Sequence, residues 1–109
     1  MKVLAVHWQE EVLREVERTL PSHWTVCSMT SGLDALLSAR AEHYDLIFGC
    51  TNLPVVSGIE LARSVRSLSP NQDTRIIFLT DGTETAGQRE LIQRLDVDTL
   101  AIDQIASLS

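Results

Sequence analysis

The sequence is poor in lysine and cysteine and has no apolar run long enough to span a bilayer. Its start lacks the pattern of a signal peptide. The two cysteines, Cys27 and Cys50, lie far apart and form neither a disulfide framework nor a CxxC motif. We therefore expect a cytoplasmic protein with two free thiols.

Basic side chains are also scarce. Lys2 is the only lysine, and nine Lys and Arg residues face fifteen Asp and Glu residues, which gives a formal net charge of -6. A chain without a cluster of basic residues binds nucleic acids and anionic membranes poorly, so we expect neither as a direct partner.

The bulk composition is that of one globular domain. The 109 residues are 44% hydrophobic and 22% charged, which is enough to bury a core without disulfides or metal ions. We therefore expect a single domain over residues 1–109, with no linker, repeat or low-complexity segment.

Short apolar runs alternate with segments of helical spacing. The runs predict strands over residues 2–6, 24–29, 46–49, 75–79 and 99–102. The helical segments carry Val12, Leu13, Val16 and Leu20; Leu33, Leu36, Leu37 and Ala41; Ile59, Leu61, Ala62, Val65 and Leu68; and residues from about 85 to 94. Thr30 and Ser31 offer an N-cap to the second helix, and Pro21 ends the first.

Strands that alternate with helices through short loops predict a doubly wound α/β domain of flavodoxin-like type, with a parallel five-stranded sheet covered on both faces. In such sheets ligands bind beyond the carboxyl ends of the strands. The residues at those ends are His7, Trp8, Cys50, Thr51, Thr80, Asp81 and Asp103.

Three stretches resemble the receiver domain of bacterial two-component response regulators, the CheY-like family, over nearly the whole chain. They are "SGLDALLSARAEHYD" (31–45), "YDLIFGCTNLPVVSGIELARSVR" (44–66) and "RIIFLT" (75–80). The resemblance implies the strand order 2-1-3-4-5. It also implies a fifth helix after the last strand, but the tail after Ile102 is so short that we expect this helix to be short or missing.

The resemblance implies a phosphorylation site at the strand ends. In the family an aspartate after the third strand accepts the phosphoryl group, an acidic pair after the first strand holds Mg²⁺, and a hydroxyl and a lysine bind the phosphoryl oxygens. These positions fall on Cys50, on His7 and Trp8, on Thr80 and on Asp103. Only Thr80 keeps the family's residue type, and Leu100 stands at the aromatic switch position. We therefore expect a degenerate site, no enzymatic activity and no cofactor.

Cys50 admits more than one interpretation. A free cysteine often packs as a small apolar residue, whereas a nucleophile or redox sensor needs exposure and a lowered pKa. His7, Cys50, Asp81 and Asp103 also include residue types that bind zinc, although their spacing matches no zinc motif. Alternatively, His7 and Asp103 form an electrostatic pair and Trp8 fills the vacated cation site. A Cys50–His7 thiol or metal sensor and a receiver with an unusual phosphoacceptor therefore remain as alternatives.

The leading hypothesis is a pseudo-receiver that signals by binding proteins without phosphorylation. The resemblance places the partner surface on the fourth helix and fifth strand, about residues 84–103. A missing fifth helix would leave an apolar face that a partner, a second copy or a C-terminal output domain would cover. We therefore expect a dimer or a tethered output domain.

Overall fold

A computed structural model of the chain describes residues 1–67 and 69–108. Its strands are β1 (Lys2–Val6), β2 (Thr25–Met29), β3 (Leu46–Gly49), β4 (Arg75–Thr80) and β5 (Asp98–Ala101). Its helices are α1 (Glu10–Thr19), α2 (Gly32–Ala41), α3 (Gly58–Arg66) and α4 (Ala86–Arg94), followed by a 3-10 helix (Ile102–Leu108). Leu68, which the sequence assigns to the third helix, lies outside the described residues.

The five strands form one parallel sheet in the order β2-β1-β3-β4-β5. The predicted flavodoxin-like fold and its strand order are therefore confirmed. The three central strands are nearly all buried because helices cover both faces of the sheet, as expected for parallel strands.

The side chains of alternate strand residues divide the core between the two faces. One cluster lies under α2, α3 and α4 and includes Leu4, Ile47 and Phe78. The other lies under α1 and the 3-10 helix and includes Phe48 and Ile105.

Side-chain caps start three of the helices. The hydroxyls of Ser31, Ser57 and Thr85 each accept a hydrogen bond from the backbone N–H three residues later. In α4, the Gln88 side chain also accepts from the backbone N–H of Thr85, which completes a capping box. The cap predicted at Thr30 and Ser31 is therefore Ser31.

The leucines at helical spacing predict that they form the buried face of α2, but the structure places smaller residues there. Gly32, Ala35 and Ala39 are its buried residues, while Leu33 and Leu37 are exposed. Small residues face inward because the helix lies close to its neighbours: a Cβ on Gly32 would lie 2.1 Å from the carbonyl oxygen of Val56.

The expectation of an uncovered apolar face beside the fifth strand is wrong for the residues that the structure describes. Ile105 of the 3-10 helix is buried against the α1 side of the core, and Leu100 and Ile102 are partly buried there. A short 3-10 helix can cover this face because its rise is about 2 Å per residue.

Across the same described ranges, no helix has the length and apolar character needed to cross a membrane.

Candidate functional site

The carboxyl ends of β1, β3 and β4 meet at a small cavity of about 20 Å³. Its lining residues are His7, Trp8, Gln9, Cys50, Thr51, Asn52, Leu79, Asp81, Glu84 and Ile102. A volume of this size accommodates about one water molecule. Five of the seven predicted strand-end residues are therefore brought together: His7, Trp8, Cys50, Thr51 and Asp81.

Cys50 is buried directly after β3, with only 4% of its surface exposed. Its thiol donates a hydrogen bond to the carbonyl oxygen of Asn52, with a sulfur-to-oxygen distance of 3.5 Å. Burial is the main cause that raises the pKa of this thiol, from an ordinary value of 9.0 to about 11. The carboxylates of Asp81 and Glu84 act in the same direction. Cys50 is therefore a protonated thiol at neutral pH.

His7 is buried and Trp8 is exposed, although they are adjacent in sequence. The backbone N–H of Gln9 donates to Nδ1 of His7 at 3.0 Å, so this nitrogen acts as an acceptor. Burial lowers the pKa of His7, and the charge of Asp81 opposes that shift. The Trp8 ring stacks beside the His7 ring, with 6.0 Å between centroids, and 53% of the residue is exposed. Trp8 therefore does not fill a buried cation site.

Glu84, which the sequence interpretation did not identify as a site residue, connects two strand ends. Its carboxylate accepts hydrogen bonds from the hydroxyl of Thr51 after β3, at 3.4 Å, and from the hydroxyl of Thr80 at the end of β4. Thr80 also accepts from the backbone N–H of Gly82 at 3.0 Å. The hydroxyl of Thr80 is therefore already paired within the chain. The spacing of four residues between Thr80 and Glu84 is the only sequence feature that could have indicated their contact.

Asp81 begins the loop between β4 and α4. Its carboxylate accepts from the hydroxyl of Thr83 at 2.6 Å and from the backbone N–H of Thr83 at 3.0 Å. These hydrogen bonds, followed by the charge of His7, lower the pKa of Asp81. This carboxylate therefore stays ionised, and its hydrogen bonds with Thr83 stabilise the loop that Asp81 begins.

Asp103 and Leu100 lie apart from the other predicted site residues. Asp103 is exposed in the first turn of the 3-10 helix and is not among the residues that line the cavity. The described residues contain no hydrogen bond or salt bridge between Asp103 and His7, and His7 instead faces the charge of Asp81. The predicted His7–Asp103 pair is therefore wrong. Leu100 is partly buried and packs against the α1 side of the core.

The residues at the cavity are a poor donor set for a hard divalent cation such as Mg²⁺, which prefers oxygen ligands. Cys50 presents a protonated thiol, Trp8 has no ligand atom in its side chain, and the carboxylates of Asp81 and Glu84 already accept hydrogen bonds from hydroxyl groups of the chain. Within the described part of the chain, no group of three His, Cys, Asp or Glu side chains is arranged to hold a metal ion. The metal that the resemblance implies therefore does not fit this site.

A wider groove of about 440 Å³ opens beside the cavity. It is lined by Trp8, Thr51, Asn52, Leu53, Pro54, Ser57, Ile59 and Gln88. Gly58 lies between the lining residues Ser57 and Ile59, and its N–H donates to the carbonyl oxygen of Thr51 at 3.0 Å. A Cβ at that position would lie 1.8 Å from the carbonyl oxygen of Cys50. The loop after β3 and the start of α3 are therefore in direct backbone contact.

Comparison with known protein families matches residues 3–101 to the response regulator receiver domain. This match covers most of the chain and includes part or all of every strand of the sheet. No curated protein sequence shows significant similarity to the chain.

Solved structures of receiver domains are similar over almost the whole chain. The chemotaxis response regulator CheY4 of Vibrio cholerae is 25% identical with a TM-score of 0.82, and the alignment covers 98% of this chain and 93% of CheY4. The receiver domain of the sensor histidine kinase PA1611 from Pseudomonas aeruginosa, described with magnesium in its active-site cleft, is 25% identical. Its TM-score is 0.78, with coverage of 98% and 92%. The phosphorylated cyanobacterial phytochrome response regulator RcpA shares the fold at 19% identity, with a TM-score of 0.84 and coverage of 98% and 86%.

Proposed function

The chain belongs to the response regulator receiver domain family of two-component signalling, and we propose that it is a member whose output does not depend on phosphorylation. In this proposal the domain keeps the shape of a receiver and acts by binding other proteins. The observation that carries the proposal is Cys50, which stands where the family resemblance expects the phosphoacceptor aspartate and is buried as a neutral thiol.

The surroundings of Cys50 support the same proposal. A phosphoryl group needs a nucleophile, a cation and donors for its oxygens. Here the cavity holds about one water molecule, and Asp81 and Glu84 add negative charge to its wall. The hydroxyl of Thr80 is held by Glu84, and the lysine position is taken by Asp103. An added phosphoryl group would therefore meet repulsion and few free donors.

The thiol-sensor and metal-sensor functions have less physical support. A redox or nucleophilic cysteine needs a lowered pKa, whereas that of Cys50 is raised to about 11. A metal sensor needs converging ligands, and the donor set around His7 and Cys50 is unsuited to that role.

The proposed partner surface is the edge formed by α4 and β5. β5 is the outermost strand on this side of the sheet, so one row of its backbone groups faces outward. A groove of about 510 Å³ runs along it, lined by Arg75, Arg89, Ile92, Gln93, Val97, Asp98 and Thr99. This mixture of charged and apolar groups suits a protein partner. We expect the domain to work in the cytoplasm, where its two cysteines stay reduced.

Incubation with acetyl phosphate and Mg²⁺, followed by intact-mass spectrometry, tests the proposal. We expect no phosphoryl adduct, and we expect the amide NMR signals of α4 and β5 to keep their positions. A receiver domain with an aspartate after its third strand serves as the positive control for the donor. A stable adduct on the chain, or shifts confined to α4 and β5 when the donor is added, would refute phosphorylation independence.

A further inference from the structure

Three of the five exposed residues of α2 are apolar, although the helix already packs its other side against the core. Gly32, Ala35 and Ala39 face inward, and Leu33 and Leu37 are 42% and 56% exposed. An ordinary surface helix has a polar outer face. Only five large hydrophobic residues in the described part of the chain are exposed, and two of them lie four residues apart on this one helix. The face therefore has the composition of a contact surface.

The exposed residues of α2 are arranged symmetrically around Leu37. Asp34 and Arg40 lie three residues before and after it, and Leu33 and Ala41 lie four residues before and after it. All four are exposed, and at 3.6 residues per turn they all project within about 60° of the direction of Leu37. The face thus has a hydrophobic centre and an acidic and a basic residue at equal distances from it.

We propose that this face binds a second copy of the chain, with the two α2 helices antiparallel and a two-fold axis at Leu37. In a two-fold interface a residue on the axis meets its own copy, and every contact between residue i and residue j of the partner copy is repeated between j and i. Leu37 then packs against Leu37 of the partner copy, and Leu33 lies level with Ala41 of the partner copy. A large side chain is thereby matched with a small one.

The charges of the face complement themselves in the same arrangement. Asp34 lies level with Arg40 of the partner copy, and the reverse pair forms at the other end of the interface. Interaxial distances of about 8–10 Å let the long arginine side chain cross the seam to the carboxylate. Within one chain, neither side chain forms an ion pair with another described residue. The antiparallel pair therefore supplies partners that the single chain does not.

The exposed loop after β3 extends the apolar surface. Gly32 at the start of α2 lies directly against the carbonyl of Val56, and the neighbouring Val55 is 87% exposed. Its φ of 67° is in the left-handed region, which is costly for a β-branched residue. The loop thus presents Val55 outward beside the end of the helix pair. Because the interface is built on one ten-residue helix, we expect a weak, concentration-dependent dimer.

Sedimentation velocity from low micromolar to millimolar concentration tests the proposal, with charge exchange as the specific probe. Asp34→Arg and Arg40→Asp each create like-charged pairs, so each should weaken the dimer by about tenfold. The double variant Asp34→Arg/Arg40→Asp restores opposite pairs and the original net charge, so its dissociation constant should return to within about twofold of the starting value. Leu37→Glu should abolish the dimer.

Arg63→Asp is the matched control for Arg40→Asp, because it exchanges an exposed arginine in the last turn of the neighbouring helix α3 for aspartate and lowers the net charge by the same amount. It should leave the dimer intact, and far-UV circular dichroism should show that every variant is folded. A monomer at all concentrations, a dimer that survives Leu37→Glu, or a folded double variant that stays monomeric would each overturn the proposal. The proposal does not rest on phosphorylation independence, since the mass measurement tests a different face of the molecule.

Discussion

At the scale of single residues, the two cysteines differ in environment. Cys50 is buried at the end of β3, whereas Cys27 is half-buried on the edge strand β2. The raised pKa of about 11 leaves Cys50 with about a hundredfold less thiolate at pH 7 than a thiol of ordinary pKa, and burial limits access further.

We therefore predict that a thiol reagent such as DTNB modifies Cys27 at least about a hundredfold faster than Cys50 in the folded chain at pH 7. The rate at Cys50 should rise as pH increases toward 11, because deprotonation generates the thiolate. Cys27→Ala and Cys50→Ala assign the two phases, and unfolding in denaturant should make the rates similar. Fast modification of Cys50 at neutral pH would contradict its packing role and support the thiol-sensor hypothesis instead.

At the scale of elements, two glycines occupy similar places in different helices. Gly58 is the first residue of α3, and Gly87 is the second residue of α4. A Cβ on Gly58 would lie 1.8 Å from the carbonyl oxygen of Cys50, whereas the nearest atom to a Cβ on Gly87 would be 3.9 Å away. The start of α3 thus requires glycine for close backbone approach, and the start of α4 does not.

We predict that Gly58→Ala lowers the free energy of unfolding by about 1–3 kcal/mol, because overpacking outweighs the gain in helix propensity. Gly87→Ala should raise it by about 0.5–1 kcal/mol, since only the propensity changes. Urea denaturation measures both values. Equal effects in the two helices would show that the contact between Gly58 and Cys50 relaxes without cost.

At the scale of the whole molecule, the sequence predicted the sheet better than it predicted the site. An apolar run such as that of β4 is enough by itself to predict a buried parallel strand. The inward face of α2 was harder to assign, because leucine and alanine occur around the whole helix and only packing selects the alanines. Glu84 was missed because its role depends on how close the ends of β3 and β4 lie in space. Local patterns thus predict elements, whereas polar contacts between elements require the assembled fold.

Asn71 is the clearest example of such a contact. Its place in the sequence, directly after Pro70, gives no sign of this role, but in the structure it is completely buried. Its side-chain oxygen accepts from the backbone N–H of Tyr44 at 2.6 Å and from the hydroxyl of Thr74 at 3.1 Å. Its amide group donates to the carbonyl oxygens of Ala39 and Glu42 at 2.6 and 2.8 Å. One side chain therefore joins the end of α2, the start of β3 and the approach to β4.

We predict that Asn71→Asp lowers the free energy of unfolding by about 3–5 kcal/mol at pH 7, because a buried carboxylate replaces both donors and faces two carbonyl oxygens. The new carboxyl group should have a raised pKa in the folded state. Its neutral form is then favoured by folding, so the loss should shrink as pH falls toward 4. Asn52→Asp, at an exposed position near the cavity, should change stability by less than about 0.5 kcal/mol. Urea unfolding at pH 7 and pH 5 measures both variants, and equal small losses would show that the connection does not depend on the amide donors of Asn71.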